Sequence, residues 1–175
     1  MSQSKSKHRI VVVEDDRTSR KLLARILEVA GYDVIECAEG KDALHIVQMY
    51  PPSAMIIDVM LPDMQGTEIV QELARIPGCR FTKCIFLTGI LSKKVNELSY
   101  YFEVESKKYR ALPKPVRKGK LLRFLADAVQ ASLEEKENDR KKESLAEKLA
   151  KDVPSEAIAS KEEPSHSENI ESCST

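Results

Sequence analysis

Ala54-Met55-Ile56-Ile57-Asp58-Val59-Met60-Leu61-Pro62-Asp63-Met64-Gln65-Gly66 is the stretch around which the chain organises itself. Residues 54–57 are too few for a helix and rich in branched side chains, which predicts a strand buried on both faces. The apolar run ends abruptly in one carboxylate, Asp58, and Pro62 and Gly66 then punctuate a loop. Asp58 therefore falls at the carboxyl end of a central strand, the edge where ligands bind in open α/β sheets. A lone Asp there would equally suit a helix cap, so the flanking segments decide its role.

Towards the amino end, Ile10-Val11-Val12-Val13 is a second continuous β-branched run, and it ends in three consecutive acids, Glu14-Asp15-Asp16. Like charges this close repel by on the order of 1 kcal/mol or more at intermediate dielectric. Two offsets are open. Asp16 or Thr18 can cap the next helix. Alternatively, the acids share a site with Asp58 and hold a hard divalent cation, for which Mg²⁺ with its oxygen ligands is the natural choice. From Thr18 to Ala30 apolar residues recur at Leu22, Leu23, Ile26, Leu27 and Ala30, a helical spacing stopped by Gly31. Val34 to Cys37 reads as a strand. Lys41 to Tyr50 reads as a helix with Ala43, Leu44 and Val47 inward, ended by Pro51-Pro52.

Beyond the central stretch, Thr67 to Arg75 reads as a helix and Lys83 to Leu87 as a buried strand ending in Thr88-Gly89. Ser92 to Phe102 is expected to be helical. Arg110-Ala111-Leu112 is expected to be a short fifth strand before Pro113-Lys114-Pro115, and Lys118 to Leu133 a last helix with Leu121, Leu122, Leu125, Ala128 and Val129 on one face. Strand and helix thus alternate five times, which implies a parallel sheet with right-handed crossovers. That order sends Glu14, Asp15, Asp58, Thr88 and Lys114 to one sheet edge. An acid pair for a cation, a nucleophilic carboxylate, a hydroxyl donor and an ammonium suit capture of a phosphoryl group.

Composition narrows the field. The chain has 175 residues and a formal net charge of zero, with 42% hydrophobic residues. Nothing in that balance points to nucleic acid or a membrane surface. No stretch reaches the roughly 18 apolar residues of a membrane span. The segment Ser2 to Arg9 is polar and basic and lacks the apolar core of a signal peptide. Cys37, Cys79, Cys84 and Cys173 show no paired spacing, which fits free thiols in a reducing, cytoplasmic setting. His8, His45 and His166 carry no ligand spacing.

Val11-Val12-Val13-Glu14-Asp15, Asp58 with Pro62 and Gly66, Leu87-Thr88-Gly89 and Lys114-Pro115, in that order, make residues 8–133 resemble a receiver domain of the two-component response-regulator family, of the single-domain chemotaxis type. The resemblance implies a flavodoxin-like (βα)₅ doubly wound sheet with strand order 2-1-3-4-5. It implies that Asp58 accepts a phosphoryl group from a histidine kinase or phosphotransfer protein and that an unknown downstream protein reads the result, with neither nucleic acid nor membrane as partner. Glu14, Asp15, Asp58 and the Met60 backbone carbonyl would arrange Mg²⁺, or Mn²⁺ in its place, while Thr88 and Lys114 would read the aspartyl phosphate. Such a protein catalyses only its own phosphorylation and dephosphorylation. The Lys114–Pro115 bond is expected to be cis, which X-Pro bonds alone adopt cheaply.

Three departures from the family pattern stand out. Ala111 occupies the place of the usual aromatic, with Tyr109 two residues earlier; Ser106-Lys107-Lys108 replaces the usual Gly-Ala; and the segment from Thr88 to Lys114 is long. Met60 and Ile90 fall where the family flanks the path of attacking water, so a bulky apolar pair there predicts slow self-hydrolysis. Two other readings are open. One is a degenerate receiver acting only as a binding module. The other is a phosphohydrolase, although Met60 stands where such enzymes carry a second Asp. Flanking the domain, residues 1–7 read as a flexible basic leader, 134–151 as an extended charged helix, and 152–175, rich in Ser and Glu, as a disordered tail.

Overall fold

A computed structural model describes residues 8–89 and 101–151. The chain divides into two compact units, Met1–Asp139 and Arg140–Thr175. Strand β1 (Arg9–Val13) leads to helix α1 (Arg17–Val29), β2 (Asp33–Cys37), α2 (Gly40–Met49), β3 (Ala54–Asp58) and α3 (Gly66–Ala74). A 3₁₀ turn (Pro77–Cys79), β4 (Lys83–Thr88), β5 (Tyr101–Val104), β6 (Lys107–Pro113) and α4 (Lys118–Lys151) follow. The described part of the second unit is the end of α4, where Leu145 is exposed.

The strands form one sheet in the order β2-β1-β3-β4-β6-β5. Every neighbouring pair is parallel except β5 with β6. Side-chain alternation divides the core between two faces. Val11, Val13, Met55, Ile57, Phe86 and Ala111 pack towards α2 and α3. Ile10, Val12, Ile56, Ile85, Leu87 and Leu112 pack towards α1 and α4. Strands covered on both sides need continuous apolar runs, which is why β1 and β3 are legible as they stand.

Two expectations are corrected. Among the described residues the sheet has six strands and is mixed rather than five-stranded and parallel. The strand carrying Ala111 and Leu112 takes the expected fifth place in the sheet but is sixth in the chain, and an extra antiparallel strand lies outside it. Tyr101 and Phe102, expected to close a helix, belong to that strand, and residues 92–100 lie outside the described residues. The cause is a two-residue hairpin turn: Glu105 and Ser106 both take positive φ, 48° and 65°. That is the mirror-image turn whose twist matches a β-ribbon. Glu-Ser carries none of the Gly or Asn that normally advertises it. In α1, Leu22 faces solvent, not the core, because Leu23, Ala24 and Leu27 fill the contact stripe.

Candidate functional site

The β3–β4 ladder sets Asp58 opposite Leu87, one residue short of Thr88, and the β4–β6 ladder sets Thr88 opposite Pro113. The Lys114 N–H then donates to the Thr88 carbonyl at 2.9 Å, carrying the next residue of the chain to the same edge. The Lys114–Pro115 bond is cis. From β1, the Glu14 N–H donates to the Cys37 carbonyl of β2 at 3.1 Å and continues that ladder, while the β1–β3 register, with Val13 opposite Ile57, brings the next residues, Glu14 and Asp58, side by side. All the side chains expected at the strand ends therefore converge on one edge.

Glu14 is fully buried, and Asp58 and Thr88 nearly so. Buried carboxylates require a counter-charge, and Lys114 supplies it. Its Nζ lies 2.5 Å from Asp58 Oδ2 and 2.8 Å from Glu14 Oε1. Glu14 Oε2 lies 2.6 Å from the same ammonium but has no aligned hydrogen bond. Burial raises the Glu14 pKa more than Lys114 lowers it, so the carboxyl sits above its ordinary range. For Lys114, burial works against the charge, but hydrogen bonds to Asp58 and Glu14 outweigh it and raise the ammonium pKa.

Oxygens of Glu14, Asp15 and Asp58 lie within 4.8 Å of one another, with Asp15 exposed to solvent. An oxygen-only donor set, one buried lone pair without a hydrogen bond and one ligand open to water fit a hard cation that keeps part of its hydration shell. The third acid has a different task. Asp16 accepts the Ser19 N–H at 2.7 Å and caps α1, so the capping offset falls to Asp16, while Glu14 and Asp15 are left with the oxygen cluster around Asp58.

The loop after Asp58 is shaped by close approach. The Met60 N–H donates to Asp58 Oδ1 at 3.2 Å, and the Gly66 N–H donates to the Val59 carbonyl at 3.0 Å. A Cβ on Gly66 would stand 2.4 Å from the Asp58 carbonyl oxygen, so glycine is required there. The Met60 side chain is exposed.

Two supporting residues escape a reading of the sequence. Arg20 Nη1 donates to the Glu14 and Asp15 carbonyls at 2.5 and 2.9 Å and clasps the acidic loop. Asp63 accepts the N–H groups of Gly40 and Lys41 at 3.0 and 2.9 Å and caps α2 from a different loop. Burial raises the Asp63 pKa, but those hydrogen bonds outweigh it and hold the carboxyl below its ordinary value. The sequence signal for Asp63 is that Glu39, at the start of α2, is not a favoured N-cap residue, and in the structure it makes no side-chain cap. At the unusual position, Ala111 is buried, and Tyr109 on the same face meets Phe86 edge-to-face, 5.8 Å between centroids.

Comparison with known proteins places this arrangement. The family model "Response regulator receiver domain" matches residues 10–126, and the chain belongs to that family, the receivers of two-component signalling. The probable transcriptional regulator ycf27 of Cyanophora paradoxa is 37% identical over 70 residues, 40% of this chain and 29% of that protein. Response regulator MprA of Mycolicibacterium vanbaalenii is 40% identical over 65 residues, 37% of this chain and 28% of that protein. The chain thus spans under a third of the length of these curated relatives. A CheY-like receiver domain protein from Methanospirillum hungatei superposes with TM-score 0.64 at 27% identity, covering 74% of this chain and 99% of that one. The receiver domain of sensor histidine kinase PA1611 from Pseudomonas aeruginosa, solved with a magnesium ion coordinated in its active-site cleft, shares the fold. Its TM-score is 0.61 at 22% identity, over 71% of this chain and 99% of that one. Among the described residues no helix is long and apolar enough to cross a membrane.

Proposed function

We propose that Asp58 accepts a phosphoryl group from a phosphohistidine of a histidine kinase or phosphotransfer protein. The chain then signals through protein contacts that depend on that modification. The observation that carries this reading is the Lys114 ammonium 2.5 Å from Asp58 Oδ2, beside two further acids. An Asp58 oxygen attacks phosphorus; the P–N bond breaks as the P–O bond forms, and the imidazole leaves with the electron pair. Glu14, Asp15, Asp58 and the Met60 carbonyl would hold Mg²⁺, or Mn²⁺ in its place. When bound, that cation neutralises charge on the transferred oxygens. Lys114 offers a mobile point charge to one phosphoryl oxygen, and the Thr88 hydroxyl a donor to another. Positioning and electrostatics suffice for such a transfer, so no general base is required.

The product stays on the protein's own side chain, so the chain acts as a signalling module, not a turnover enzyme. Residues 8–133 make up the phosphoacceptor domain and 134–151 a charged helical extension. A cytoplasmic setting suits its buried free thiols, Cys37, Cys79 and Cys84. Met60, exposed two residues after Asp58, and Ile90, which lies outside the described residues, hold the positions that flank attacking water in the family, so the phosphoaspartate is long-lived; a half-life of seconds in Mg²⁺ buffer would contradict this. The test of the whole reading is intact mass after incubation with acetyl phosphate and Mg²⁺. Wild type gains one phosphoryl group and Asp58→Asn gains none. Failure of wild type to gain mass would favour the binding-module reading instead.

A further inference from the structure

At the opposite end of the same strands, β4 and β6 diverge from one another. Strand β4 begins at Lys83 and β6 at Lys107, but their pairing starts only at Ile85 and Arg110. These strand starts, each paired on its outer side with β3 or β5 but not with each other, flank a cleft of about 630 Å³ that runs beneath α4. Its apolar wall includes Ile85, Phe124, Ala128 and Ala131. Arg80, Lys83, Lys107, Lys108 and Arg110 surround it, against two lining acids, Asp127 and Glu135. Those acids are already engaged: Lys83 lies 2.5 Å from Glu135 and Arg110 lies 2.8 Å from Asp127, while Arg80 pairs with Asp139. Among the described residues, no ion pair engages Lys107 or Lys108, both exposed.

The cleft therefore combines a net positive charge with an apolar wall and short lengths of strand edge not paired to each other. From these features we infer that it receives a short acidic peptide segment of a partner protein in extended conformation. Charge complementarity selects the acidic side chains. The free strand edges suit a peptide backbone, which supplies donors and acceptors at strand spacing. A nucleic acid is the poorer fit, because acids interrupt the cations and the chain as a whole carries no net charge. The cleft lies on the order of 15 Å from the Asp58 edge, the length of a five-residue strand, so this surface is separate from the phosphoryl chemistry.

The test is fluorescence anisotropy of a fluorescein-labelled octapeptide of alternating Glu and Val, titrated with the full chain. The inference predicts saturable binding that weakens with added salt and falls at least about tenfold in Lys107→Glu/Lys108→Glu, a loss of about 1.4 kcal/mol. Arg25→Glu, on the exposed face of α1, leaves binding unchanged. Amide signals of residues 83–85 and 107–110 shift with the titration. Absence of saturable binding overturns the inference. So does binding that survives the lysine reversal, or tighter, lysine-dependent binding of a single-stranded RNA oligomer, which would assign the cleft to nucleic acid.

Discussion

The two edges of the sheet carry opposite charge under opposite conditions. At the carboxyl edge, Glu14 and Asp58 are buried and tied to one lysine, with Asp15 alongside. At the amino edge between β4 and β6, five cations line an open cleft; Arg80, Lys83 and Arg110 are ion-paired, whereas Lys107 and Lys108 make no ion pair among the described residues, with Glu103 opposite Lys108 on the β5–β6 ladder. Burial explains the difference. A carboxylate out of water is costly unless it is satisfied, so Lys114, Arg20 and the backbone are all committed to the acidic edge. Exposed lysines cost little unpaired, so the amino edge can keep charge available for a partner.

That contrast is exposed to substitution, and the tight edge should suffer most. Gly66→Ala forces a methyl against the Asp58 carbonyl. It should cost about 3 kcal/mol, read as a lower urea midpoint, because backbone cannot yield as a side chain tip would. Lys114→Met should cost about 2 kcal/mol at neutral pH, because two buried carboxylates lose their counter-charge. Adding Glu14→Gln should recover part of that loss, which a purely steric defect at position 114 would not allow.

Smaller effects belong to the supports. Asp63→Asn should cost about 1 kcal/mol at neutral pH by weakening the α2 cap. The Asp63 pKa is depressed below the ordinary 3.8, so its contribution is full above that value and is lost as pH falls through the folded-state value. Urea midpoints of wild type and variant should therefore converge on acidification. On the hairpin, Glu105→Asn with Ser106→Gly should stabilise by about 0.5 kcal/mol, since both positions hold positive φ. Phosphoryl uptake should be unchanged. A destabilised double variant would mean that the turn owes its shape to side-chain contacts, not to backbone preference.

The carboxyl edge was legible in the sequence because its signals are local and conform to the fold's period. Ile10–Val13 and Ala54–Ile57 are apolar runs that end in acids, and alternation of strand and helix is enough to bring those ends together. The hairpin was hidden for the converse reason. Tyr101–Val104 follows a segment with helical spacing, and Glu105-Ser106 bears no glycine, so nothing local announces a turn. Arg20 and Asp63 were missed because each acts on backbone groups remote from its own pattern. Arg17, Arg20, Lys21 and Arg25 give α1 a basic face in the sequence, with no hint that Arg20 reaches back to two carbonyls.

The central claim is that the strand-end carboxylate of β3 is the phosphoryl acceptor, served by the groups around it. The most direct measurement is borohydride trapping after incubation with a phosphorylated histidine donor and Mg²⁺, followed by peptide mass mapping, since reduction marks an acyl phosphate at the carboxyl that carried it. The account predicts reductive modification at Asp58 alone, dependent on the divalent cation and much reduced in Lys114→Met. Modification at Glu14 or Asp15 instead, or uptake that persists in Asp58→Asn, would contradict it.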